Sequence, residues 1–169
     1  MYEYKPVRSN ATAKLAVLLC LAATAAAFVA SAQVPKYPSI LQALGLCFLV
    51  PAIQITARYL ILQYLYRVRE GEDGSVDLEI FAYRGGAHMQ LVCRVGLSEI
   101  TAAEPLATAN KKAPHGIRRY NYHPDMGPLG GLVLSVTNGD GDCEILLSPD
   151  EGLAEILARA AKDYTQAAD

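Results

Sequence analysis

Three histidines, four cysteines and one short run of basic residues are the side chains of this 169-residue chain best suited to chemistry. His88, His115 and His123 lack the i,i+4 or hairpin spacing, with a carboxylate nearby, that a zinc or catalytic site needs, and they read as surface histidines. Cys20, Cys47, Cys93 and Cys143 contain no C-x-x-C pair, and two of them lie inside apolar stretches, so all four read as small hydrophobes. Cys93 and Cys143 fall in predicted strands, where they can meet in the core; a cytoplasmic location would keep them reduced. Asn138-Gly139-Asp140-Gly141-Asp142 is followed by too few oxygen ligands for a calcium loop and reads as a hairpin turn. No serine sits in a nucleophile elbow, and no phosphate loop or paired catalytic carboxylate stands out. The expectation is therefore no catalytic, cofactor-binding or metal-ligating residue, and an enzyme is the poorer reading. The one local basic cluster is Lys111, Lys112, Arg118 and Arg119, around the longest loop. Facing a membrane, each of these residues would contribute about 1 kcal/mol toward anionic lipid or meet a partner; a solvated loop explains them equally well.

The elements that must position these residues divide the chain in two. Residues 15–34 and 39–57 carry no charged side chain, and each stretch is long enough to cross a hydrocarbon core of roughly 30 Å. Two spans are expected, at about 13–34 and 39–62, making residues 1–66 a transmembrane hairpin and residues 67–169 one soluble domain of ordinary size. The formal charge of −2 conceals an asymmetry, because Lys5, Arg8, Lys14, Lys36 and Arg58 oppose only Glu3 in the first part, while acid predominates in the second. An acidic soluble part argues against nucleic-acid binding and against a domain lying flat on anionic lipid.

Lysine and arginine near spans stay on the cytoplasmic side. Lys5, Arg8 and Lys14 precede the first span, Arg58, Arg67 and Arg69 follow the second, and the connecting Pro35-Lys36-Tyr37-Pro38 has a single lysine. A multi-pass protein of the plasma or inner membrane with both termini cytoplasmic is expected. Tyr2, Tyr4, Tyr37, Tyr59, Tyr64 and Tyr66 cluster where the membrane interfaces should lie. Basic residues, an apolar run and Ala30-Ser31-Ala32 also fit a secretory signal peptide cleaved before Gln33. The run exceeds the usual apolar region and a second span follows at once, which favours an uncleaved anchor, and the C-terminal domain is cytoplasmic in either case. Ala22, Ala26 and Ala30, beside Ala23, Ala27 and Ser31, form a small-residue stripe that would pack on the second span or on another copy, giving a homo-oligomer through the first span.

From Tyr64 the pattern becomes alternating. Val76, Leu78, Ile80 and Ala82 alternate with Asp77, Glu79, Phe81 and Tyr83, then Arg84-Gly85-Gly86 turns the chain into a return strand carrying Met89, Leu91, Cys93 and Val95. A short strand is expected at 97–101 and others at 118–123, 131–137 and 143–147. His123-Pro124-Asp125 matches the tripeptide of J domains, but that tripeptide works from a turn between helices, and its flanks here read as strands. A helix is expected over 149–165, with Ser148 as N-cap, Pro149 at its first position and Glu151 completing a capping box. Its stripe of Leu153, Ile156, Leu157, Ala160 and Tyr164 should cover the sheet, burying Leu153, Ile156 and Leu157 against the strands that carry Leu78, Leu91 and Leu134.

The two-span hairpin, Tyr64-Leu65-Tyr66-Arg67-Val68, the Gly-turn hairpin, the Leu97-Ser98-Glu99-Ile100 strand and the closing helix together resemble small bacterial membrane proteins with a pleckstrin-homology-like domain. The resemblance covers most of the chain and rests on order and pattern. It implies an α+β protein: a transmembrane helical hairpin, then a mostly antiparallel, partly open barrel or sandwich of about seven strands capped by the C-terminal helix. Such folds serve as binding platforms. Phosphoinositide-binding members have basic residues in the first hairpin turn, whereas this turn reads Glu70-Gly71-Glu72-Asp73-Gly74, so that ligand is not expected. The functional expectation is a membrane-anchored, non-enzymatic binding or scaffolding module that meets a cytosolic protein or peptide at the lipid bilayer, with no cofactor; the alternative is a small membrane enzyme or an accessory subunit of a transporter. Convergent ionisable residues in a pocket would mark the second, an exposed groove or sheet edge the first.

Overall fold

Alanine and leucine dominate residues 11–33, and neither glycine nor proline interrupts them, so one unbroken helix α1 (Ala11–Gln33) forms. Helix α2 (Pro38–Ile55) starts on a proline, where the missing N–H costs nothing, runs through Pro51 and ends in a π-helical turn, Thr56–Ile61. The structure is a computed structural model and describes every residue except Pro35, Glu72, Asp73, Gly86, Ala87, residues 110–113, Pro128, Leu129, Asp140 and Asp169. The chain divides into two compact units, Arg8–Leu62 and a second made of Met1–Val7 together with Gln63–Asp169.

In the helical unit, α1 and the helix over Pro38–Ile61 are 23 and 24 residues long and apolar enough to cross a membrane. They pack closely at Gly45, where a Cβ would lie 3.1 Å from the Phe28 ring and 3.3 Å from Ala27 Cβ. Thr24 Oγ1 donates to Gly45 O at 3.1 Å across the same contact. The small-residue stripe is thereby split, with Ala27 and Ser31 buried and Ala22 and Ala26 exposed.

Among its described residues the second unit has eight strands, β1 (Tyr2–Tyr4), β2 (Leu62–Glu70), β3 (Val76–Arg84), β4 (Met89–Gly96), β5 (Ile100–Pro105), β6 (Arg118–Asn121), β7 (Leu132–Asn138) and β8 (Gly141–Leu147), followed by helix α3 (Glu151–Ala168). They form two four-stranded sheets, ordered β1-β2-β3-β4 and β5-β7-β8-β6. The sheets do not close into a barrel, and among the described residues there are eight strands where about seven were expected. The extra strand comes from Tyr2–Tyr4, which pairs antiparallel with Tyr66–Val68. The aromatic-belt expectation is corrected accordingly: Tyr2 and Tyr4 are strand residues, and Tyr64 and Tyr66 are buried in β2, an inner strand of its sheet on which the intervening Leu65 is buried too. The pairing of β6 with β8 is parallel, whereas the other recorded strand pairs are antiparallel. A bulge between Ile80 and Phe81 shifts the β3–β4 register, so that Ile80 faces Cys93 and Phe81 faces Leu91.

The most deeply buried side chains come from both sheets and α3: Leu65, Tyr66, Leu78, Ile80, Ile100, Leu134, Ile145, Leu147, Leu153 and Leu157. Helix α3 packs on β5 and on the 3-10 turn Leu97–Glu99, which stands where the first residues of a strand were expected. Its buried stripe is Leu153, Leu157 and Ala161, which leaves Ile156 only half-buried on its flank. Leu91, expected beneath the helix, is 43% exposed, because β4 is the terminal strand of its sheet. The N-cap also moves: Asp150 Oδ1 accepts the Leu153 amide at 3.0 Å, and the Ser148 amide instead donates to Tyr66 Oη.

Candidate functional site

Three concavities mark the β unit. One lies between α3, the 3-10 turn and the start of β3; its volume is about 560 Å³, and Val76, Leu97, Ile156, Ala160 and Tyr164 line it. A shallower groove of about 450 Å³ runs between β5 and α3, past Ala102, Ala103, Ala158 and Ala161. The largest of the three, about 670 Å³, opens between the two sheets.

Its walls follow from the topology. Strands β4 and β6 end their respective sheets, and among the described residues neither pairs with a further strand on its outer side. Val92, Cys93, Arg94 and Val95 form one wall, Arg118, Tyr120 and Tyr122 another, and Cys143 and Ile145 of β8 lie behind. Tyr122 bridges the walls, its hydroxyl donating to Val92 O at 3.4 Å while its ring meets the edge of Tyr64, with centroids 5.8 Å apart. Val92 and Tyr120 are exposed in the cleft, and along β4 beyond it Leu91 and Met89 are exposed too, an apolar run for the last strand of a sheet.

The phenol of Tyr122 and the thiols of Cys93 and Cys143 are held neutral in the cleft. Burial, with Cys93 beside it, pushes the Tyr122 phenol up to about 12. Burial likewise raises the Cys93 and Cys143 thiols, so neither has the character of an activated nucleophile. Both cysteines are free and half-buried, facing the cleft rather than filling the core as expected.

The charges near the cleft are paired across strands. Glu79 is buried on β3 and takes a salt bridge from Arg94, its register partner on β4; the Arg94 Nε atom is 3.2 Å from Glu79 Oε1 and 3.6 Å from Asp77 Oδ2. On the other sheet Arg119 Nε lies 2.7 Å from Oε2 of buried Glu144, again its register partner. The expected basic cluster is thus divided: successive strand residues point to opposite faces, so Arg118 is exposed at the cleft while Arg119 neutralises Glu144. Lys111 and Lys112 lie outside the described residues. Sequence reading missed both ion pairs, although opposite charges directly across the β3–β4 hairpin were a legible signal.

His88 and His115 are exposed, but His123 is only 4% exposed, contrary to the surface reading. Its Nδ1 accepts the Asp125 amide at 3.1 Å, and burial lowers its pKa. Among the described residues no group of three or more His, Cys, Asp or Glu side chains is placed to hold a metal ion.

Comparison with protein-family models, with curated proteins and with solved structures finds nothing that matches this chain.

Proposed function

We propose that this chain is a membrane-anchored, non-enzymatic binding or scaffolding module whose pleckstrin-homology-like domain takes an extended segment of a cytosolic protein or peptide as an added strand. One observation carries the reading: β4 and β6, each the last strand of its sheet among the described residues, border a single cleft lined by exposed Val92 and Tyr120, and β4 continues away from it through exposed Leu91 and Met89. Unpaired backbone groups supply affinity to an incoming strand, and alternate side-chain pockets supply selectivity. The neutral thiols and phenol, together with arginines already matched to carboxylates, favour binding over chemistry.

The anchor is the helical hairpin, multi-pass in the plasma or inner membrane of a bacterium. Pairing of β1 with β2 supports a hairpin that enters and leaves on the same side, because residues before α1 and after α2 share one sheet. The basic flanks favour the cytoplasm for that side. Cleavage before Gln33 would remove β1 from its sheet, which supports the uncleaved anchor.

Photocrosslinking in intact cells tests the binding surface. A benzoylphenylalanine at Leu91 or Tyr120 should give a discrete adduct, and one at Glu155 on α3 should not. Equal labelling from all three positions, or none from the cleft, would overturn the assignment. Reporter fusions at both termini should give cytoplasmic signals.

A further inference from the structure

The edge of β2 and the first turn of α3 form a receptor for one short strand, and the chain fills it with its own N-terminus. Tyr2, Glu3 and Tyr4 pair with Val68, Arg67 and Tyr66. Each side chain of the strand has a partner: the Tyr2 hydroxyl donates to Asp150 Oδ2, the Glu3 carboxylate lies 2.9 Å from Arg67 Nη2, and the Tyr4 ring lies 6.3 Å from that of Tyr66. Arg67 is itself steadied over the Phe81 ring at 5.1 Å. Gly152 completes the receptor, because a Cβ there would sit 2.7 Å from the Tyr2 hydroxyl.

The occupant is short. It contributes three residue pairs at a sheet edge, and its ion pair is exposed, the kind worth little to stability. No helix or strand lies between Tyr4 and Ala11; Lys5 Nζ stands 5.8 Å from the centre of the Tyr83 ring and Arg8 Nη1 donates to Leu60 O at 3.1 Å, contacts that exchange would have to release or remake, and the six residues Lys5 to Asn10 reach roughly 20 Å when extended. Every receiving group is present in identical form on any other copy. A second Tyr2-Glu3-Tyr4 therefore meets the same partners, which is the condition for exchanging an element between protomers.

We propose that this receptor exchanges strands between copies: β1 of one chain pairs with β2 and Asp150 of a second, and the second returns its own β1. The occupant is thus a second copy of this chain, joined at a surface separate from the exposed Ala22 and Ala26 of α1.

Cysteine pairing in the full-length chain, with the four native cysteines replaced by alanine, tests the exchange. Glu3 and Arg67 are register partners. Opposed antiparallel residues have Cα atoms about 4.5–5.5 Å apart, within the range a disulfide spans. Glu3→Cys and Arg67→Cys placed in one chain should bond within that chain on mild oxidation with diamide, reporting the pairing itself. Differently tagged chains carrying Glu3→Cys alone and Arg67→Cys alone, expressed together, should give heterodimers several-fold above a Glu3→Cys and Glu155→Cys control. Adding Tyr2→Ala to the donor should reduce that yield. Intrachain bonding in the double variant with heterodimers only at the control level would overturn the exchange. Absence of both bonds would overturn the receptor as well.

Discussion

The hydroxyl of Tyr2 donates to Oδ2 of Asp150, while Oδ1 of the same carboxylate accepts the amide of Leu153 at 3.0 Å. One aspartate thus caps the C-terminal helix and fastens the N-terminal strand. The two ends of the β unit meet on a single side chain, and the strand they hold precedes the first apolar helix.

The cap can be separated from the residue that the sequence nominated for it. Asp150→Ala should destabilise the β unit by about 0.5–2 kcal/mol, the usual cost of losing an N-cap, and Ser148→Ala should cost much less. Thermal unfolding of the full chain in detergent would decide between them; equal losses would place the cap where the sequence put it.

At Gly152 two effects oppose each other. Alanine for glycine inside a helix ordinarily stabilises by about 1 kcal/mol, but here the new methyl would displace the Tyr2 hydroxyl. Gly152→Ala should therefore accelerate amide exchange at Tyr66 and Val68, and in a Tyr2→Ala background it should stabilise instead. A gain of similar size in both backgrounds would mean that Tyr2 does not occupy this position.

The helix stripe makes a contrast between adjacent residues. Leu153 and Leu157 are fully buried, so Leu157→Ala should cost about 2–5 kcal/mol. Ile156 lines an open groove, and Ile156→Asp should leave the domain folded. Urea titrations of the two variants check this, and unfolding by Ile156→Asp would restore the stripe read from sequence.

Glu144 and Arg119 are both largely buried, with side chains 11% and 15% exposed. Arg119→Met alone strands a carboxylate, and breaking such a pair typically costs about 3–5 kcal/mol. Adding Glu144→Leu should recover much of that loss. A double variant as unstable as the sum of the two singles would show that the pair is not coupled.

Burial lowers the His123 pKa below its ordinary 6.5, so between the two values the unfolded chain binds more protons than the native one. Stability contributed by the neutral imidazole is complete above pH 6.5 and falls as the pH drops toward the native pKa. Denaturant midpoints measured at pH 7.5 and pH 5 should differ by less in His123→Gln than in the native chain. An unchanged difference would assign the pH dependence to other groups.

Local signals were sufficient for much of this architecture. Two uncharged stretches, alternation from Tyr64 onward, the Gly85 turn, the 138–141 hairpin and a terminal amphipathic helix all act over a few residues, and the structure places helices and strands on them. Tyr2-Glu3-Tyr4 is too short to carry a period, so nothing local distinguishes a strand from interfacial aromatics; its conformation is chosen by β2 and Asp150, more than sixty positions away. The division of Arg118 from Arg119, the burial of Glu79 and Glu144 and the exposure of Leu91 depend on which strand lies at a sheet edge and which residue stands opposite. Alternation specifies that one face of a strand is buried, but pairing partners and sheet ends are long-range choices, made when the two sheets and α3 pack into one core.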